Sequence, residues 1–373
     1  MRKRDGLSLQ RARCGWTNNG YGTGVTKISN IDHIVHNAEW LAHRYDPGHD
    51  SVHFLHVPRE ERIRATFLTD EYLENTGAPV VIRRSDARSL APEPAPLHFV
   101  FHSAFCLSTL LARAFELPGV ATSLKEPPIL NDIVGWRYRE APEGKRVAEV
   151  LDHSLRLLAR SFAPGEAVVL KPSNVVVGLT DAMIAMRPRS RVLLLHAPLP
   201  IYLRSIAKKG VDGRLWVRDL LAKLLRERLI DMGLEGEDYL RLTDLQAAAV
   251  GWLAQQALFA RLVTRYPDRV RTLNSETIMA KPAETIGALA GHFGLGIDPQ
   301  TVKTIVEGPA FNSHSKHGKQ FGAAARDAEY RAAAEAHADE IAKVEIWAAT
   351  VAGTAGIEME LGQPLLAKAN AGA

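Results

Sequence analysis

The chain has 373 residues, 46% hydrophobic and 24% charged, with a net charge of +4 and a pI of about 9.0. These are ordinary globular values that allow one large α/β domain with extensions or two domains of usual size. Two distant cysteines, Cys14 and Cys106, exclude a disulfide framework and a cysteine-rich zinc site. The mild basic excess suits a polyanionic small molecule as well as nucleic acid.

Residues 1–30 are polar, basic and glycine-containing, and are expected to form a disordered leader, with a nucleic-acid arm as the alternative. They lack the apolar centre of a secretory signal, and no apolar run approaches the ~20 residues that span a bilayer, so a soluble cytoplasmic protein is expected. Residues 31–69 carry Trp40, His43, His53, Phe54 and His56 and predict a small helical or mixed cap. These histidines lack metal-ligand spacing on one face. The stretch RSLAPEPAP (88–96) reads as a proline-rich linker, which places the start of the core at Leu97.

Leu97, Phe99, Val100 and Phe101 form an apolar run long enough for a buried strand. The small-residue turn His102–Thr109 follows, and Leu110–Phe115 read as the first turns of a helix. Strand, turn and helix with Ser-Thr at the junction is the layout of a phosphate-binding loop. A second strand is expected near 120–124, closed by Lys125 and Glu126, and a helix over 147–162. A third strand covers 167–170 and ends in Lys171, a helix is expected over 175–186, and the most regular strand, 191–195, runs into His196. Amphipathic helices over 215–232 and 245–266 precede a fifth strand at 270–273, and residues 324–352 read as one long alanine-rich helix. Continuous apolar strands separated by helices predict an α/β fold: three layers, with a mostly parallel central sheet flanked by helices. Ligands of such sheets sit beyond the carboxyl ends of the strands, where the polar residues of this chain gather.

Taken in this order, SAFCLSTLLARAF, VVLKPSNVV, MRPRSRVLLLHAPLPIYLRS and TLNSETIMAKPAETIGALAGHFGL resemble four segments of the sulfotransferases that use 3′-phosphoadenosine-5′-phosphosulfate (PAPS) and fold like P-loop kinases. The resemblance spans roughly residues 97–320. It implies a core over 97–322, with an extension and linker over 31–96 before it and a C-terminal helical extension over 323–373. It implies PAPS as donor without a metal, an acceptor hydroxyl or amine on an unidentified small molecule, glycan or peptide, and no nucleic-acid or membrane partner. Ser103, Cys106, Ser108 and Thr109 would lie against the 5′-phosphosulfate. His196, Arg204 and Ser205 would hold the 3′-phosphate, and Lys316 belongs to a basic loop closing over the nucleotide.

Lys171 is the candidate cation beside the bridging oxygen, and His102 the candidate for a loop charge or the base. Glu126 is the other candidate base. Each has a plainer alternative: an N-cap for the hydroxyls, a surface lysine, a packed histidine, a salt-bridged glutamate. The Walker pattern GxxxxGK[ST] is absent, which argues against an ordinary ATPase or GTPase. A P-loop kinase-like phosphotransferase and a non-catalytic nucleotide-binding protein remain as alternatives. Leu107 and Phe105 stand where the family has a glycine and a basic residue, and His196 replaces an arginine. Because a left-handed leucine costs roughly 1–2 kcal/mol, the loop is expected to take a different shape rather than a strained one.

Overall fold

In a computed structural model the described residues are 28–73, 76–229, 231–312 and 323–367. The amino-terminal part is mixed rather than helical. Helix α1 (Ile28–His36) leads into strands β1 (Trp40–Asp46) and β2 (Ser51–His56), helix α2 (Arg59–Arg64), strand β3 (Val80–Arg83) and helix α3 (Arg84–Leu90). The three strands form an antiparallel sheet in the order β1-β2-β3.

The core follows as β4 (Leu97–His102), α4 (Ser108–Ala114), β5 (Ala121–Lys125), α5 (Pro128–Glu140), α6 (Gly144–Leu158) and β6 (Ala167–Lys171). A 3₁₀ turn (Asn174–Leu179) and α7 (Thr180–Met186) replace the single helix expected over 175–186. Then come β7 (Val192–His196), α8 (Leu199–Lys208), α9 (Gly210–Arg226), α10 (Gly236–Arg241), α11 (Asp244–Arg265) and β8 (Val270–Asn274). Helices α12 (Ser275–Ala280), α13 (Pro282–Phe293), α14 (Pro299–Glu307), α15 (Pro309–Asn312) and α16 (Ala323–Ala355) complete the chain, the last kinked at His337.

Strands β4 to β8 form one sheet, ordered β5-β6-β4-β7-β8 and parallel throughout. All residues of β4, β5 and β6 are buried, so both faces of the sheet's centre are covered by other elements. This is the α/β, P-loop NTPase-like class. From central β4 the chain runs outward past the place of β6 to β5, returns to β6, then crosses to the other side for β7 and β8. In sheets with such a reversal ligands bind beyond the carboxyl ends of the strands, here those of β4, β6 and β7 beside the 103–107 loop.

The amino-terminal part docks through two buried arginines. Arg160, just after α6, donates to the carbonyls of Ile34, Val35, Asn37 and Trp40, and its guanidinium lies 5.5 Å from the Phe54 ring. Arg62 donates to the carbonyls of Val57 and Ala38 and lies 5.0 Å from the Phe162 ring. With carbonyls in place of carboxylates around them, burial lowers the pKa of Arg160 to about 9 and of Arg62 to about 10. This docking carries α2 and residues 65–73 to the carboxyl ends of β5 and β6. Leu68 N–H donates to Lys125 O (2.8 Å) and Arg59 pairs with buried Glu166 (2.6 Å).

Candidate functional site

Three strand ends bring His102, Glu126 and Lys171 together. Lys171 closes β6 with its side chain fully buried, and its Nζ forms an ion pair with Glu126 Oε1. Glu126 follows β5 in a left-handed conformation (φ 57°), its amide bonded to Lys171 O (2.7 Å), and this turn swings its carboxylate across the end of β6. The carboxylate stays 20% exposed, and among the described residues no group bonds its Oε2. His102 Nε2 lies 3.8 Å from the same Oε1.

The histidine's hydrogen bonds define its tautomer. Nδ1 accepts from Ala104 N–H (3.2 Å), so Nε2 carries the proton and donates to Pro172 O (3.1 Å). In this state His102 is a neutral strut pinning the loop to the end of β6, with neither nitrogen open as a base.

The loop itself departs from expectation. Ala104 (φ 69°), Phe105 (φ 50°) and Leu107 (φ 64°, ψ 19°) all adopt the left-handed region, so the leucine keeps the glycine-like conformation instead of reshaping the turn. Left-handed residues with side chains concentrate at functional loops because the surroundings over-determine them. Here His102, the Ser103 N–H bond to Leu195 O (3.0 Å) and burial of Cys106 hold the turn at both ends. Among the described residues no acceptor meets the amides of Leu107, Thr109 and Leu110, and no group bonds the hydroxyls of Ser108 and Thr109.

The remaining expected ligands are placed otherwise. Ser103 is buried, its hydroxyl accepting from Ala197 N–H (3.3 Å) and so tying the loop to the end of β7. Cys106 is wholly buried, and that burial pushes its thiol up to about 11, so it packs beneath the loop rather than facing a ligand. His196 closes β7 beside Gln256 Nε2 (3.4 Å), and burial lowers its pKa to about 4; it is a neutral imidazole, not a substitute for arginine's charge. Ser205 Oγ donates to Ile201 O of its own helix (2.8 Å) instead of standing at the strand edge. Arg204 has a buried, unpartnered Nε, and its charge acts on Glu345 of α16. Lys316 and the basic loop around it lie outside the described residues.

Lys125 and Phe67 join the site without having been singled out for it. Lys125 is in register with Lys171 and wholly buried, its Nζ donating to Arg62 O (2.5 Å) and Ile63 O (3.2 Å) near the end of α2. Burial lowers its pKa to about 8, opposed by buried Glu116, whose own pKa burial raises. Phe67 covers Lys171, its ring centroid 5.1 Å from Nζ. A lysine beside Glu126 at a strand end was a visible signal for the first. Nothing in the sequence announces the second, whose place depends on docking of the amino-terminal part.

The sheet order, the loop and the three strand-end side chains thus define a P-loop NTPase-like α/β protein with a charged crevice. No family model matches the chain, and no curated protein matches it. Among solved structures it is similar to the sulfotransferase STF1 from Mycobacterium tuberculosis H37Rv, at 12% identity and a TM-score of 0.36, over 59% of this chain and 72% of that one. It is also similar to the sulfotransferase domain from the curacin biosynthetic pathway, at 13% identity and a TM-score of 0.37, over 66% of this chain and 98% of that one. Among the described residues no helix is long and apolar enough to cross a membrane.

Proposed function

We propose that the chain transfers a sulfuryl group from PAPS to a hydroxyl or amine of an acceptor. The observation that carries this reading is the Glu126 carboxylate, anchored through Oε1 by wholly buried Lys171, with Oε2 unbonded, beside the loop that leaves the central strand. The residues fit the sulfate-bearing end of the donor: unbonded amides and hydroxyls at Leu107–Leu110 would take anionic oxygens, and Lys171 would neutralise charge beside them. They do not fit the 3′-phosphate in the same way, since His196 is neutral and Ser205 donates within α8.

When bound, PAPS supplies a sulfuryl group on a phosphate leaving group, so the protein's part is positioning and charge stabilisation. Glu126 Oε2 accepts the proton of the acceptor hydroxyl. Lys171 holds that carboxylate in place, and its ammonium offsets the negative charge that builds in the crevice. His102 fixes the loop through Ala104 and Pro172 and moves no proton.

Thermal unfolding with saturating adenosine 3′,5′-bisphosphate, compared with ATP and Mg²⁺, tests the reading. A ligand at 100 times its Kd stabilises by about 2.7 kcal/mol, a shift of several degrees. A rise with the bisphosphate alone is expected. A rise only with ATP and Mg²⁺ would replace the reading with a kinase-like one, and no rise with either would leave a fold that has lost the donor. Full sulfuryl transfer by a Lys171→Ala variant would remove that residue from the mechanism.

A further inference from the structure

The strand end expected to hold the 3′-phosphate is built as a neutral site. His196 closes β7, and Ala197 after it is tied down twice. Its N–H donates to Ser103 Oγ of the loop (3.3 Å), and its carbonyl accepts from Trp252 Nε1 of α11 (2.9 Å). The imidazole therefore stands at the edge of the loop on fixed backbone. Gln256, buried on α11, donates through Nε2 to His196 Nδ1 (3.4 Å), which puts the ring proton on the histidine's Nε2. His196 is only partly buried, and among the described residues no group bonds that Nε2, so one neutral N–H is left open beyond the end of β7.

No countercharge reaches this N–H. Burial alone lowers the pKa of His196 to about 4, and among the described residues no charged side chain acts on it. Arg204 acts on Glu345 of α16, Lys209 Nζ lies over the Phe105 ring at 5.8 Å, and the Ser205 hydroxyl is turned to Ile201 O. A phosphate dianion at His196 would give up water for a single neutral donor, and burying charge without a countercharge is unfavourable. A hydroxyl oxygen accepts from the same N–H without that cost.

We propose, on the sulfuryl-transfer reading, that His196 Nε2–H reads the ribose 3′ position as a free hydroxyl, so that a nucleoside 5′-phosphosulfate lacking the 3′-phosphate serves this chain as donor at least as well as PAPS. Transfer breaks the S–O bond to the 5′-phosphate and forms one to the acceptor oxygen. The acceptor proton passes to Glu126 Oε2, and the nucleoside 5′-monophosphate is the product.

Titration calorimetry of the full chain with adenosine 5′-monophosphate and with adenosine 3′,5′-bisphosphate, at one pH and ionic strength, tests the donor assignment. The monophosphate should bind more tightly than the bisphosphate or within about threefold of it. A larger preference for the bisphosphate overturns the assignment and leaves the sulfuryl-transfer reading standing. His196→Arg, which restores a charge, should move the ratio of the two affinities at least about tenfold toward the bisphosphate. His196→Leu keeps the site neutral and should weaken the monophosphate about fivefold, the scale of one neutral hydrogen bond. An unmoved ratio in the arginine variant, or unchanged monophosphate binding in the leucine variant, shows that the ribose lies elsewhere and overturns the assignment. The comparison on the parent chain decides even where a variant fails to fold. Binding of neither nucleotide removes the sulfuryl-transfer reading and the donor assignment together.

Discussion

Leu107 carries the sharpest test of the loop. Its φ of 64° and ψ of 19° place a branched side chain where an L-residue costs roughly 1–2 kcal/mol and glycine costs almost nothing. Replacing it by Ala and by Gly removes nearly the same side chain, so the two variants differ chiefly in backbone preference. Glycine gives back about 0.5–1 kcal/mol through its freer unfolded chain. The net expectation is that Leu107→Gly is more stable than Leu107→Ala by about 0.5–1 kcal/mol. Ala349, exposed within α16, is the control: there Ala→Gly should cost about 1 kcal/mol. Urea unfolding of the three variants and the parent, with midpoints compared at constant slope, measures the difference. An alanine variant as stable as the glycine one would show that Leu107 is not left-handed in solution, and the reading of the loop would fall with it.

Three further outcomes are expected. Glu126→Gln should destabilise by about 3 kcal/mol because it leaves the buried Lys171 ammonium unpaired, Lys171→Met should cost less because the carboxylate it leaves is partly exposed, and the double variant should cost much less than their sum; an additive double-mutant cycle would refute the pair. His98 is buried, stacked on Phe293 at 5.1 Å and accepting from Arg191 N–H; burial first, then repulsion from His292, lowers its pKa from 6.5 to about 4. The unfolded chain binds that proton first, so stability is retained above pH 6.5 and falls toward pH 4 by up to about 3 kcal/mol, and His98→Phe should flatten this acid arm in pH-dependent unfolding. A Cβ on Gly178 would sit 1.9 Å from Glu227 Oε2, whose carboxylate is held by Arg137 and Tyr138, so Gly178→Ala should cost about 2 kcal/mol in unfolding experiments and be partly rescued by Glu227→Ala.

Much of the core was legible because its signals are local. The apolar runs around Phe99, Leu170 and Leu194 needed no tertiary information to be read as buried parallel strands, and Pro282 and Gly294 bracket α13 as a helix start and stop should. Polar residues directly after such strands must lie at the carboxyl edge, which is why Lys171 and Glu126 could be grouped before their contact was visible. Residues further along the helices were not legible in the same way. At Ser205 an equally available partner, the carbonyl of Ile201, takes the hydroxyl, and at His196 burial removes the charge. The amino-terminal part was only half legible, because the short strands of its antiparallel sheet carry weak periodicity and pair through register that sequence does not display.

The sequence by itself determined a parallel α/β core, the order of its strands along the chain and a glycine-poor loop after the first of them. Those features follow from hydrophobic periodicity and from the turn residues at each strand end. Only the tertiary structure decided that β4 lies between β6 and β7, that Leu107 keeps a left-handed turn, and that Lys171 finds Glu126 on one side and Phe67 on the other. The reason is one of range: such contacts join residues tens of positions apart, and Arg160, which holds the amino-terminal part against the core, acts through backbone carbonyls, which every residue possesses and no sequence pattern marks.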